Sequence, residues 1–319
     1  MYMQKYRHAS TATTPELKLI KSALPKYQNN KPRLKQACVP ADKLSQKLFS
    51  LNEVQFNTAM DTGLNCVEGT KNGAKVKTPF WLENAEGFLD KTPLTAFHRE
   101  ILFTLISAYE AGYRVATYHG VLNALTGADK SRVHVEQYEA IKAAVDKLRL
   151  TLMTIDSATL REAFPKWNNK DISVTISDYL LPCRLIEAVY NGQQVLIIEM
   201  HAESPLMTYA RLKRQVQRYE LNGLDVPKQR NTPLVMVIKG YLRRWCDAVI
   251  NRRLEPTLKL ETFYTNCSLT GADKKQKQDS RKIIEATLNH FVAEKIITSW
   301  HWTKSGNAYE KITISYDKA

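Results

Sequence analysis

No apolar run in this 319-residue chain approaches the roughly 18 residues that a membrane span requires. Residues 1–10 lack the apolar stretch of a secretory signal. No Cys-x-x-Cys pair occurs, and the five cysteines (Cys38, Cys66, Cys183, Cys246, Cys267) are odd in number and scattered. A disulfide framework and a zinc module are therefore excluded by pattern, and reduced thiols in a cytoplasmic protein are expected. The phosphate-cradling pattern G-x-x-x-x-G-K-[ST] is absent, which excludes a P-loop ATPase or helicase. So is a paired-histidine motif of the kind a metal-dependent nickase needs. His98, His119 and His290 fall inside helical patterns instead. Acid is in short supply: 32 Asp and Glu face 46 Lys and Arg, for a formal charge of +14. That excess favours an anionic partner, nucleic acid first. The sequence implies no cofactor, no metal and no membrane.

What the chain does contain is a repeated word. Leu-Thr-Gly-Ala-Asp-Lys occurs at residues 125–130 and again at 269–274. A short Thr/aromatic segment precedes each copy and a long amphipathic pattern follows it, then a β-rich stretch. This reads as one supersecondary unit used twice. Ahead of the units, residues 1–47 carry ten Lys/Arg against Glu16 and Asp42 and are broken by prolines. They are expected to be a flexible basic arm. Residues 48–92 read as an irregular lead-in, with a turn at 68–77 and a short strand at 78–82.

The first unit is expected over residues 93–204. Thr92-Pro93 signals a helix start, and Phe97, Ile101, Leu105 and Tyr109 form one face of a helix ending at Gly112. A short helix fits residues 117–125, with Thr117 as N-cap and Gly127 as terminator. Asp129 or Ser131 can cap a third helix whose buried stripe is Val135, Tyr138, Ile141, Val145 and Leu148. Strand signals follow at 150–155 and 172–180. Residues 184–200 then read as a hairpin turning at Asn191-Gly192. Residues 205–221 suggest a connecting helix, and 227–233 a linker. The second unit is expected over residues 232–319. Its first helix runs through Val235, Ile238, Leu242, Trp245 and Val249. A short helix follows at 261–268, a turn at Gly271, and a long helix from an Asp273 cap to about Ile296. Its stripe Ile284, Leu288, Phe291 matches Ile141, Val145, Leu148 with a one-residue shift from the hexapeptide register. A hairpin closes the unit, turning at 303–307, with Ile312, Ile314 and Tyr316 on its buried face. Helix, short helix, longer helix, hairpin is the order of a winged helix. The expected class is thus α+β: two winged-helix domains related by an internal pseudo-repeat.

The residues that carry chemistry follow the second hexapeptide. Lys274, Lys275, Gln276, Lys277, Gln278, Ser280, Arg281 and Lys282 occupy the first turns of the second long helix. In a helix-turn-helix these turns enter the major groove, where Arg, Lys and Gln read base edges. At the equivalent address the first unit offers Lys130, Ser131, Arg132, His134 and Gln137, but Glu136 and Glu139 share that helix. The second unit is therefore expected to hold double-stranded DNA more strongly. Lys304 at the second wing tip, Lys282, Arg243, Arg244 and the arm lysines are expected to neutralise phosphate. Trp300 and Trp302 are expected to pack the wing strand on its own core. A competing reading makes Glu199, His201 and Glu203 the ligands of a metal-dependent nuclease, since alternate strand residues share one side.

In unit order, in the pseudo-repeat, in the 138–150 helix leading into wing strands and in Val-Ile-Lys-Gly-Tyr-Leu-Arg-Arg at 237–244, the chain resembles the iteron-binding plasmid replication initiators. The resemblance covers about residues 93–316. It implies a non-catalytic protein that binds repeated origin sites, melts neighbouring A·T-rich DNA and recruits host helicase machinery. It also implies that the second unit makes the main base contacts and the first mediates homodimerisation. A winged-helix transcriptional regulator or a phage replisome organiser would use the same surface on another DNA site.

Overall fold

The computed structural model describes residues 34–50, 65–71, 74–83, 94–127, 134–155, 176–190, 193–251, 253–306 and 308–317. Two helices form its centre. The first, α2 (Ala96–Glu110), starts at Thr95, whose extended backbone and His98 side chain close a capping box. Thr92 and Pro93, expected to start it, lie outside the described residues. Ile101 and Leu105 are fully buried on its inner face. The second, α6 (Pro233–Ile250), starts where Thr232 caps and Pro233 occupies the first turn, and it buries the expected Val235, Ile238, Leu242, Trp245 and Val249.

Each central helix opens a unit of the same order. After α2 come β4 (Val115–Thr117), α3 (Tyr118–Thr126), α4 (Val135–Leu150) and the hairpin β7 (Cys183–Tyr190) and β8 (Gln193–Met200). After α6 come β10 (Thr257–Lys259), α7 (Leu260–Asn266), α8 (Lys274–Ala293) and the hairpin β11 (Ser299–Ser305) and β12 (Ala308–Ser315). In both units the short first strand pairs antiparallel with the second hairpin strand, giving sheet orders β4-β8-β7 and β10-β12-β11. The register of Tyr190 against Gln193 fits the two-residue turn read from the sequence, though residues 191–192 themselves are not described. The second hairpin turns more tightly than expected. Its strands reach Ser305 and Ala308, because Lys304 and Ser305 pair with Tyr309 and Ala308.

The hexapeptide is not what the two units share. In the first copy Leu125 and Thr126 end α3, and Gly127 takes the left-handed φ of 71°. In the second copy α7 has already ended at Asn266. The left-handed residue there is Ser268 (φ 56°), and Gly271 has an ordinary backbone. The shared register is the buried stripe: Ile141, Ala144, Val145 and Leu148 correspond to Ile284, Thr287, Leu288 and Phe291, all at most 2% exposed. Val135 does not belong to that stripe; it is 76% exposed at the first position of α4. The cap of α4 is His134, because the Gln137 side chain accepts from its backbone N–H at 3.4 Å. Asp129 and Ser131, the expected caps, lie outside the described residues. Asp273 does cap α8, with Gln276 completing a capping box.

Three segments depart from expectation. The end of the presumed arm is structured: β1 (Gln36–Pro40) leads through the Asp42 cap into α1 (Lys43–Lys47). Val39, Leu48 and Phe49 are fully buried in the first core, where Phe49 meets Phe103 edge-on at 6.4 Å. Ser107 ties β1 to α2, accepting from Cys38 N–H at 2.9 Å. Second, the expected connecting helix stops early. The helix α5 (Pro205–Leu212) gives way at Arg214, whose φ is 55°, to β9 (Val216–Glu220), which pairs along β1. Gln217 and Tyr219 point inward while Arg218 and Glu220 point out, so alternation replaces helical spacing. Third, the lead-in contains strands: β2 (Asn65–Lys71) pairs with β3 (Ala74–Glu83), and β3 joins β5 (Leu152–Ile155) and β6 (Ile176–Tyr179) in a four-stranded sheet. Most of the 68–77 segment is therefore strand, not turn, because its backbone is taken up by sheet pairing.

The two hydrophobic cores meet at α2 and α6. Met236 of α6 belongs to the first core and Ala96 of α2 to the second. At the crossing Gly240 faces Glu100, and a Cβ there would lie 2.5 Å from the Glu100 carboxylate. Glu100 and Arg244 form a buried two-pronged ion pair, and Arg99 donates to the same carboxylate at 3.1 Å. Arg244 therefore faces away from solvent and does not neutralise phosphate. Arg243, only 5% exposed, forks onto Asn222 at 2.9 and 3.2 Å and is likewise structural. Burial alone would raise the Glu100 carboxyl, but Arg244, Arg99 and their hydrogen bonds outweigh it and hold the group below its usual range.

Candidate nucleic-acid interface

The shared stripe fixes how α8 differs from α4. With Ile141 set against Ile284, the first residue of α4 falls opposite Gln278, so α8 begins four residues earlier, about one turn. That extra turn is Lys274, Lys275, Gln276 and Lys277. In the aligned turns, Glu136 and Glu139 of α4 are replaced by Asp279 and Lys282. Among the described residues Lys274, Lys275 and Lys277 make no ion pair, so their charge is uncompensated at close range. Lys282 pairs only with the exposed Asp279, at 3.2 Å.

Helical geometry sorts this run into roles. The buried stripe of α8 is Ser280, Ile284, Thr287, Leu288 and Phe291. Lys275, Gln278 and Lys282 lie about half a turn away from it and are exposed. Lys277 leans back, half-buried, with its ammonium 5.7 Å from the Tyr264 ring centre. Two expected reading residues belong to the scaffold. Ser280 is fully buried and its hydroxyl donates to the Lys277 carbonyl at 2.8 Å. Gln276 remains exposed, but its side-chain oxygen accepts from the Asp273 N–H at 3.1 Å. Neither role shows in the composition of the run; the heptad-like spacing of Ser280 from Thr287 and the Asp-x-x-Gln capping pattern are the signals that could have found them.

The β11–β12 hairpin is fastened along α8 in steps. Trp300 Nε1 donates to Asn289 Oδ1 at 2.8 Å, and Trp302 Nε1 donates to Glu285 Oε1 at 3.0 Å. One step further, Arg281 lies over the Tyr309 ring, 5.1 Å from its centre, and Lys304 lies 4.4 Å from the same centre. Two residues of strand cover about 6.6 Å and four residues of helix about 6 Å, so each strand step matches one helical step. The hairpin thus runs toward the N-terminal end of α8. Trp300, Trp302 and Tyr309 stack edge to face at 5.7 and 5.1 Å, and all three pack on the second core.

The corresponding address in the first unit is differently disposed. Lys130, Ser131 and Arg132 lie outside the described residues. His134 is exposed as the cap of α4. Gln137 is buried, and its amide donates to the Asn231 carbonyl at 2.5 Å. The start of α4 therefore docks on the segment leading into α6. Exposed Glu136 pairs with Arg230 at 3.3 Å.

The nuclease reading loses its ligands. Arg184 holds Glu199 at 2.7 and 2.9 Å, while Arg211 and Thr208 hold Glu203, each at 2.8 Å. No group of three metal-binding side chains occurs among the described residues. Among the described residues Cys38, Cys183, Cys246 and Cys267 are free, and burial pushes the Cys183 and Cys246 thiols up to about 12. No described helix is long and apolar enough to cross a membrane.

No family model matches the sequence, and no curated protein matches it. Solved structures do. Domains 2 and 3 of RctB are similar at 13% identity with a TM-score of 0.41, over 80% of this chain and 91% of that one. A second structure of the same RctB domains gives 11% identity and a TM-score of 0.42, over 79% and 91%. The Pi initiator protein in complex with iteron DNA gives 10% identity and a TM-score of 0.38, over 90% and 99%. At these values no residue role passes from them to this chain.

Proposed function

We propose that this chain is a sequence-specific double-stranded DNA-binding protein that initiates replication at repeated sites of a plasmid-type origin. In this reading its two units are winged helices, with domain limits at 93–204 and 232–319, and it acts without catalysis. The single observation that carries the reading is the extra basic turn of α8, standing free at the end of a helix whose flank is covered by a fastened hairpin. A helix presented in this way fits the major groove, with a β-wing beside it. Lys275 and Gln278 are then the base-edge readers, and Lys274, Lys277, Lys282 and Lys304 neutralise phosphate. The origin role draws on the resemblance to iteron-binding initiators carried by the repeated unit order. Homodimerisation and contact with host replication proteins come from the same resemblance.

Footprinting on DNA flanking the gene tests the function: the expected outcome is protection of evenly spaced direct repeats. A single protected operator would favour a transcriptional regulator instead. The Lys275→Ala, Gln278→Ala double variant tests the site. It is expected to weaken binding to the protected repeat by at least about 2 kcal/mol, since a good base contact is worth about 1–3 kcal/mol. Unchanged affinity would remove α8 from the groove.

A further inference from the structure

We propose that Tyr309 is the positioning residue of a one-phosphate clamp: its ring holds Arg281, from the helix, and Lys304, from the wing, around a single DNA phosphodiester. The inference rests on the DNA reading above and assigns its ligand atom by atom.

Three observations carry it. Arg281 and Lys304 come from different elements, yet both cations lie against one ring, at 5.1 and 4.4 Å from its centre. Among the described residues neither cation forms an ion pair. The ring face attracts each cation but leaves the guanidinium and ammonium donors largely unsatisfied. An oxyanion reached by both would take hydrogen bonds from each. The third observation is the backbone beneath. The β11–β12 register shifts between Thr303 and Lys304, so that Lys304 pairs directly with Tyr309 and Glu310 drops out of the pairing. A bulge of this kind re-aims a side chain. Here it sets Tyr309 beside Lys304 while the two tryptophan hydrogen bonds fix the hairpin's height on α8.

The ligand class is a phosphodiester and not a base edge. Arg281 already lies against a hairpin residue, and a phosphate at the groove margin meets helix and wing together.

The test is a salt titration of affinity for a short mixed-sequence DNA duplex, read by fluorescence anisotropy. Each neutralised phosphate contributes about 0.9 to the slope of log affinity against log salt. Tyr309→Leu is expected to lower the slope by about that amount, and Tyr309→Phe, which keeps the ring, to retain the wild-type slope. Should Tyr309→Leu fold poorly, Arg281→Met and Lys304→Met provide the second arm. Either alone is expected to hold the slope, since the remaining cation still neutralises the shared phosphate, and the pair to lower it by about 0.9. A loss in either single variant, or an unchanged slope in the pair, would overturn the clamp while leaving the DNA reading intact. Failure of the wild-type protein to bind any duplex would overturn both.

Discussion

Ser280 sits inside the most basic stretch of the chain and yet faces the core. Its hydroxyl is spent on the Lys277 carbonyl, one turn back on its own helix. Ser280→Ala is therefore expected to leave duplex affinity unchanged, where loss of a base contact would weaken it by about 1–3 kcal/mol; an anisotropy titration separates the two. Residue type was a poor guide to which residues of this run face solvent. Arg243 and Arg244 make the same point more strongly. They read as surface cations in a helix of mixed composition, and nothing nearby in sequence says otherwise. The carboxylate that buries Arg244 belongs to Glu100, 144 positions away. A pairing over that distance leaves no local periodicity to detect. Exposure of the first half of α8 was legible because its apolar stripe starts late, at Ile284, with only Ser280 buried before it.

Elements with a strong internal period were readable from the sequence: α3, α6 and α8 lie where spacing and caps placed them, α2 where spacing did but with its cap at Thr95, and the β7–β8 strands where their β-rich runs lie. Those defined by a distant partner were not. Val216 and Tyr219 are three apart and pass for a helical face, but Arg214 breaks the helix and β9 then finds β1 far upstream. The same pairing turns the end of a proline-broken basic segment into part of the core. Val39, fully buried on β1, gives the test at this scale. In a solvated tail Val39→Ala would cost nothing. Here it is expected to lower unfolding free energy by about 1–3 kcal/mol, measured by urea titration, with duplex affinity preserved. The repeated hexapeptide gives the converse lesson. In their first three residues the identical words took different backbone conformations, because what recurs is the buried stripe and not the sequence around the turn.

At the scale of the whole molecule, the joint between the units is polar, buried and tight. Glu100→Gln leaves two arginines without their counter-charge and is expected to destabilise the protein by about 3–5 kcal/mol. Its pH signature has a definite sign. The Glu100 carboxyl is held below its usual value in the folded chain, so its contribution is complete above the ordinary carboxylate range and is lost as pH falls through the lowered value. Acid titration of unfolding free energy is expected to be steeper in wild type than in Glu100→Gln below that range; parallel curves would show that the pair contributes nothing. Gly240 adds geometry to charge, since any side chain there would collide with Glu100. Each core also takes in a residue from the other unit's central helix, Met236 in one and Ala96 in the other. The consequence is evolutionary as much as mechanical. Two units of similar element order stand in this chain, but they cannot be shuffled as interchangeable modules. A recombined half would arrive with a gap in its interior and an unmatched charge at its seam, so the pair can diverge only by surface change, as the first turns of α4 and α8 have done.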